Sequence, residues 1–348
     1  MDAACDVSAN DWELIDCFSG GGVFSYGARA SGMHITHAVD FCPEAIDVYK
    51  QNFPEAKVSC ATLGSEVAEY IFPEPRPKLH VHLSPPCQEL SNAKSGKRCE
   101  ADGLKMLRWS VHIGAGYASF SIETVHTSST LALAKEVSTA DPEHVAYGIY
   151  DGVNFSAPQS RVRLVISTPS IIRQLNEAPA SARTSVENAF CAEGIQLPIG
   201  ATHIKNSTPV SSRANIRPIQ AASFTCCASR ALSFCNADGE TVLSMKPQHT
   251  RVLMGLPSTF EMTGKQRVLQ RVLGNGVVFG LARAIALAAM GQPIHPLAPL
   301  TPASVTPRCH TNKLVRSREE GCFCDELEAR VQRLEMRLAR LKKKKRSS

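Results

Sequence analysis

The pentapeptide Phe18-Ser19-Gly20-Gly21-Gly22 stands between a short apolar run and an alanine-rich stretch, inside residues 13–32. Apolar run, glycine cluster and helix-forming segment follow one another as a strand, a tight turn and a helix do. Glycines in such a turn let the backbone pass close to a ligand and leave helix N–H groups free to bind it. A related pattern follows. Residues 34–39 are largely apolar, end at Asp40 and lead into a predicted helix over 43–52, whose Pro43 suits a first helical turn. Further strands are predicted over 79–83, 117–122 and 164–167. Strands alternating with helices predict an α/β fold: a doubly wound, mostly parallel sheet covered on both faces. Such sheets bind ligands at the carboxyl ends of their strands, and the chemically interesting residues fall there.

A chain of 348 residues has room for about two domains. With 43% hydrophobic and 20% charged residues it can bury a proper core. No apolar run reaches bilayer length, and the first residues carry Asp2, Asp6, Asp11 and Glu13, so neither a membrane partner nor a signal peptide is expected. Thirteen irregularly spaced cysteines fit reduced thiols, in a cytoplasmic or, in a eukaryotic host, nuclear setting. Cys309-His310 and the Cys322/Cys324 pair are read as free thiols, because a one-residue gap suits tetrahedral zinc poorly; no metal is expected.

The expected division is a catalytic domain over 1–167, completed by an apolar helix within 277–291, and a smaller irregular domain over 168–276. Between 168 and about 222 the periodicity dissolves and a loop-built segment is expected; strand-like runs return at 223–227 and 231–234, and 247–254 reads as helix. Residues 292–324 form a linker, proline-rich in its first part. In 325–348, Leu327, Val331, Leu334, Leu338 and Leu341 make a short heptad seam, followed by the basic run Lys342 to Arg346. The seam suits a homodimer through 325–341 or a helix folded onto the body. The basic run suits a phosphate-binding arm or a nuclear address.

Asp40, at the end of the second strand, stands where nucleotide-binding sheets place an acid for ribose hydroxyls, and equally where a helix cap would stand. Cys87 follows Pro85-Pro86 at a strand end, on a backbone of restricted φ that would present its thiol at the ligand edge. Glu123 ends the neighbouring strand. Arg161 and Arg163 share one face if both are extended, as an anion site, a support for a carboxylate, or a surface pair.

In this order the motifs resemble the cytosine carbon-5 DNA methyltransferases. The segment FSGGG is similar to that family's first motif, AVDFCPEAIDVYKQNF to the second, PPCQ to the fourth and ETV at 123–125 to the sixth; QSRVR is similar to the eighth, KPQHTRVLMGLPSTF to the ninth and GNGVV at 274–278 to the tenth. The resemblance covers about 13–291. It implies a methyltransferase fold with S-adenosylmethionine as methyl donor and DNA as partner. The implied catalytic residues are Cys87 as nucleophile, Glu123 against the cytosine ring, Arg163 holding the base and the acid, and Arg161 beside it. Phe18, Gly20, Gly22, Asp40, Phe41 and Asn275 would bind the cofactor, and the region from 168 would read the DNA. Four positions depart from the family: Thr124 for asparagine, Asp40 for glutamate, Val23 for glycine, and no acid at Ala61, where the third motif supplies an adenine contact. The last implies weaker cofactor binding. The other readings are an RNA cytosine methyltransferase, whose Cys-Phe-Thr signature is absent from this sequence, and a non-catalytic DNA-binding or assembly protein on a decayed methyltransferase fold.

Overall fold

The strand before the glycine cluster, β1 (Glu13–Cys17), is buried over its last four residues, which requires cover on both sides. The computed structural model describes residues 11–64, 70–87, 89–90, 99–206, 216–228 and 232–296. After β1 come α1 (Val23–Arg29), β2 (His34–Asp40), α2 (Pro43–Asn52), β3 (Lys57–Cys60) and β4 (Leu79–Leu83). Then follow α3 (Glu100–Ala115), β5 (Phe120–Val125), α4 (Ser128–Ala140), β6 (Ala146–Asp151), β7 (Val162–Ser167) and α5 (Pro169–Glu177).

These strands form one sheet in the order β3-β2-β1-β4-β5-β7-β6, in which only β7 runs against its neighbours. The predicted doubly wound, mostly parallel sheet is therefore present. Its two faces are separated by strand alternation: Leu14 packs with residues of α1, α2 and α5, whereas Ile15 packs with Leu107 of α3 and Leu133 of α4. Strand order reverses at β1, so the crevice between the carboxyl ends of β1 and β4 is the topological place for a ligand.

The rest of the described chain comprises α6 (Val186–Ala192), β8 (His203–Lys205), β9 (Ile216–Pro218), β10 (Ser233–Cys235), β11 (Thr241–Ser244), α7 (Pro247–Leu253), α8 (Gln266–Asn275) and α9 (Phe279–Ala289). The four short strands make an antiparallel sheet, β11-β10-β8-β9. Its core joins Phe234 to Phe190 of α6 and to Val252 and Leu253 of α7. Helix α9 packs on α1, where Gly27 permits the contact: a Cβ there would stand 2.6 Å from Ala282 Cβ. No single helix among the described residues is long and apolar enough to cross a membrane.

Three sequence expectations need correction. The stretch from 168 to 222 is not loop alone. Helix α5 buries Ile171, Ile172 and Leu175 against the large sheet, and α6 buries Val186, Ala189 and Phe190. Both apolar faces are short enough to be lost among serine, threonine and proline. Residues 223–227 form no strand; Ser223 makes a single bridge to Gln159. Glu123 lies inside β5 rather than beyond it, because β7 pairs with β5 as far as Val125. The seam at 325–341, the basic run, the Cys309-His310 and Cys322/Cys324 pairs and the end of the linker lie outside the described residues.

Candidate active site

The loop after β1 turns back over the sheet through two left-handed residues, Phe18 (φ 56°) and Gly20 (φ 53°), and enters α1 through Gly22 (φ 85°). The two outer glycines have different duties. At Gly20 an added Cβ would meet nothing within 4 Å, so its free side opens on the crevice. At Gly22 it would meet Phe53 at 2.5 Å and Tyr49 at 2.9 Å, so this glycine serves packing as well as the turn.

Asp40 holds the loop in place. Its Oδ2 accepts from the Gly20 amide at 2.8 Å and its Oδ1 from the Cys42 amide at 2.8 Å. Burial raises the Asp40 carboxyl, and the amides of Cys42 and Gly20 oppose the shift. Asp40 is not the cap of α2, whose N-cap is Cys42 with no side-chain capping hydrogen bond; the Asp40 carboxyl bonds the turn and lines the crevice. Ser84, the residue after β4, donates its amide to Cys17 O at 3.1 Å and so ties the ends of β1 and β4 together.

Between these ends lies a cavity of about 330 Å³. Phe18, Gly20, Asp40, Phe41 and Asn275 line it, and so do Cys87 and Glu123. Phe41 is 62% exposed at the rim, while Asn275 comes from the last position of α8. Among the lining residues that the sequence reading did not assign to the site are Asp16, Ser19, Ser84 and Arg271. Asp16 had a visible signal, an acid within an apolar strand directly before the glycine turn. Arg271 had none, since only the fold of α8 brings it here, where its Nη2 reaches Cys42 Sγ at 2.9 Å and Glu44 at 3.2 Å.

Asp16 is 1% exposed, and its Oδ2 accepts from Ser25 Oγ at 2.6 Å. Burial pushes its carboxyl up to about 7. Asp16 Oδ1 and Ser19 Oγ are buried on the cavity wall without a hydrogen-bond partner. Buried polar atoms are rarely left so, and these two fit a ligand that brings its own donors, such as an ammonium or ribose hydroxyls.

The expected arginine pair divides. Arg163 Nε lies 2.8 Å from Glu123 Oε1. Its N–H is not aligned for a hydrogen bond, and that oxygen keeps its accepting capacity. Arg161 precedes β7 instead of lying in it, and its buried guanidinium donates to Cys226 O, Gly274 O and Gly276 O at 2.8, 2.9 and 2.8 Å. Arg161 thus ties the sheet edge to the segments at 226 and 274–276. Desolvation, with Arg163 close by, lowers it to about 10. Cys87 is pushed above an ordinary thiol by burial; Arg163 partly offsets this, and Glu123 adds to it.

Residues 60 and 61 of the third-motif stretch differ in exposure. Ala61 is 7% exposed and packed in the core, whereas Cys60, at the end of β3, is exposed with its Sγ 3.7 Å from Phe41 O. Among the described residues no cluster of three histidines, cysteines or acids could hold a metal ion.

The C-5 cytosine-specific DNA methylase family matches residues 12–111, the stretch from β1 through α3 that carries the glycine turn, Asp40 and Cys87. Type II methyltransferase M.HindV of Haemophilus influenzae is 24% identical over 302 residues, covering 79% of this chain and 95% of its own. The fold is shared with S. pombe Dnmt2 methyltransferase, at a TM-score of 0.53 and 15% identity over 80% of this chain and 98% of that one. It is shared equally with the Entamoeba histolytica methyltransferase EhMeth, at 0.52 and 15% over 81% and 98%. With the glycine turn, the proline-flanked cysteine and Glu123 gathered at one crevice, the chain is similar to the C-5 cytosine-specific DNA methylases over residues 12–111.

Proposed function

We propose that this enzyme transfers a methyl group to carbon 5 of cytosine in DNA through a covalent adduct on Cys87, with S-adenosylmethionine as donor. One observation carries the reading: Cys87, after β4, and Glu123, inside β5, line the same cavity as the glycine turn and Asp40. The turn at Phe18 and Gly20, with Asp16, Ser19, Asp40 and Phe41, would hold the cofactor, whose sulfonium supplies an electrophilic methyl group. Asn275 and Arg271 would close that side.

Cys87, as thiolate, adds to carbon 6 of the ring and drives electron density onto carbon 5. Glu123 binds the ring nitrogen and exocyclic amine, where charge develops, and Arg163 holds that carboxyl in place. Arg161 is a positioning residue, since its guanidinium is spent on three carbonyls that fix the 274–276 segment. Expulsion of Cys87 and loss of the carbon-5 proton release the product. Reaching carbon 6 requires the base outside its stack, so the target is a flipped or single-stranded cytosine. The segment 168–276, with its small antiparallel sheet, is assigned to target recognition. The seam at 325–341 and the Lys342–Arg346 run are assigned to self-association and phosphate contact.

Incubation with labelled S-adenosylmethionine and parallel DNA and RNA tests the assignment. Label is expected in DNA cytosine. Label in RNA alone would favour the RNA reading, and DNA binding without transfer the non-catalytic one.

A further inference from the structure

Two histidines lie in the middle of the large sheet with no part in the chemistry above. His80 and His82 alternate along β4 and are wholly buried. His80 Nδ1 is 2.8 Å from Ser119 Oγ, and its Nε2 is 2.9 Å from Ser121 Oγ. His82 Nδ1 is 2.8 Å from that same Ser121 Oγ, and its Nε2 is 2.8 Å from Ser84 Oγ. The result is an unbroken column, Ser119, His80, Ser121, His82, Ser84, along one face of β4 and β5. From the α1 side, the ring of Phe24 stacks on His82 with centroids 3.3 Å apart. Ser84 ends the column on the cavity wall, which Cys87 and Glu123 share. On β5, Glu123 lies two residues beyond Ser121, which the β4–β5 register sets against His82.

The column has a definite electrical character. Burial pushes His80 down to about 3 and His82 well below the ordinary imidazole range, so both are neutral at working pH. A neutral imidazole has one donor and one acceptor, and a hydroxyl has one donor. Ser121 can therefore donate to one ring and accept from the other. The chain then has a single direction from end to end, and it can hold either of two. Passing one proton in at one end and another out at the far end converts one direction into the other. A column built only to satisfy buried groups would not need to open on the reaction cavity.

We infer that Ser84, His82, Ser121, His80 and Ser119 form a relay that carries away the proton released from carbon 5 of the target base. The inference rests on the methyl-transfer reading above. In the step concerned, the carbon-5–hydrogen bond breaks and its electron pair forms the 5,6 double bond, while the carbon-6–sulfur pair leaves with Cys87 as thiolate. The proton goes to Ser84 Oγ, whose own proton moves to His82 Nε2. The proton of His82 Nδ1 passes to Ser121 Oγ, that of Ser121 to His80 Nε2, and that of His80 Nδ1 to Ser119. Ser119, 6% exposed, gives its own proton to water. Reorientation of hydroxyls and rings restores the starting direction.

The test uses Ser121→Ala, which cuts the column at its centre without touching the cavity wall. Single-turnover reactions on DNA carrying carbon-5 tritiated cytosine follow methyl transfer and tritium release separately. In the unaltered protein the two run together. In Ser121→Ala, methyl transfer should stay within about twofold while tritium release slows about tenfold or more and the Cys87 adduct accumulates. Ser121→Thr, which keeps the hydroxyl, should restore release. Ser119→Ala, at the far end, carries the same expectation should Ser121→Ala not fold. Unchanged release, or equal loss of both steps in proportion to lost thermal stability, would overturn the relay. No transfer or release by the unaltered protein would overturn the methyl-transfer reading itself.

Discussion

Arg163 Nε stands 2.8 Å from Glu123 Oε1, with the two side chains 12% and 6% exposed. The pair crosses from β7 to β5 and sets the carboxyl on the cavity wall. Glu123→Gln should lower kcat by about 10²-fold or more while cofactor binding stays within about twofold, because a neutral amide cannot follow the developing charge. Arg163→Ala leaves a buried carboxylate without its cation and should cost about 3 kcal/mol of stability as well as activity. Steady-state kinetics and urea unfolding of the two variants separate the effects.

Asp16 gives a stability signature of its own. Its folded value of about 7 lies above that of an unfolded aspartate, so the native state holds the extra proton between them. Stability contributed this way is present at low pH and is lost as pH rises from about 4 to about 7, a difference on the order of 4 kcal/mol. Asp16→Asn should flatten that part of the profile. Urea unfolding at both ends of the window, in both proteins, reads it directly; parallel profiles would refute the assignment. Saturating S-adenosylmethionine should reduce the loss, since the free Oδ1 would then have a donor.

Cys60→Asp should tighten S-adenosylmethionine binding by about 1 kcal/mol, roughly fivefold, by returning an acid to the end of β3 beside Phe41. Ala61→Asp should instead destabilise the fold, because residue 61 is packed in the core. Calorimetry for binding and thermal melts for stability distinguish the two positions.

What could be read from the sequence was local. The strand-turn-helix at 13–32, the 43–52 helix and the 79–83 strand needed only periodicity, glycine and proline, and they place Phe18, Gly20, Asp40 and Cys87 at one sheet edge. Convergence with Glu123 follows from the parallel run of β4 and β5, although Glu123 lies inside β5 and not at its end. Long-range facts stayed hidden. Helix α8 was not read because Gln and Arg dilute its apolar pairs Val268–Leu269 and Val272–Leu273, and Arg271 and Asn275 reach the cavity only through it. Arg161 looked like a twin of Arg163 two residues on, but its partners are carbonyls 65, 113 and 115 residues away. The His80–His82 column passed for part of an apolar strand, since its serine partners arrive from β5 and its approach.

The central claim is that Cys87 is the nucleophile, and the trapped adduct measures it most directly. DNA containing 5-fluorocytosine, with S-adenosylmethionine, should give a protein–DNA species that survives denaturation and maps to Cys87, and Cys87→Ser should give none while still binding DNA. Burial holds the thiol above its ordinary value, so the thiolate fraction grows with alkalinity. The rate of adduct formation should accordingly rise with pH through neutrality and beyond about 9, up to the limit of protein stability. An adduct at another residue, a Cys87→Ser variant that still forms one, or methyl transfer undiminished in that variant would contradict the account.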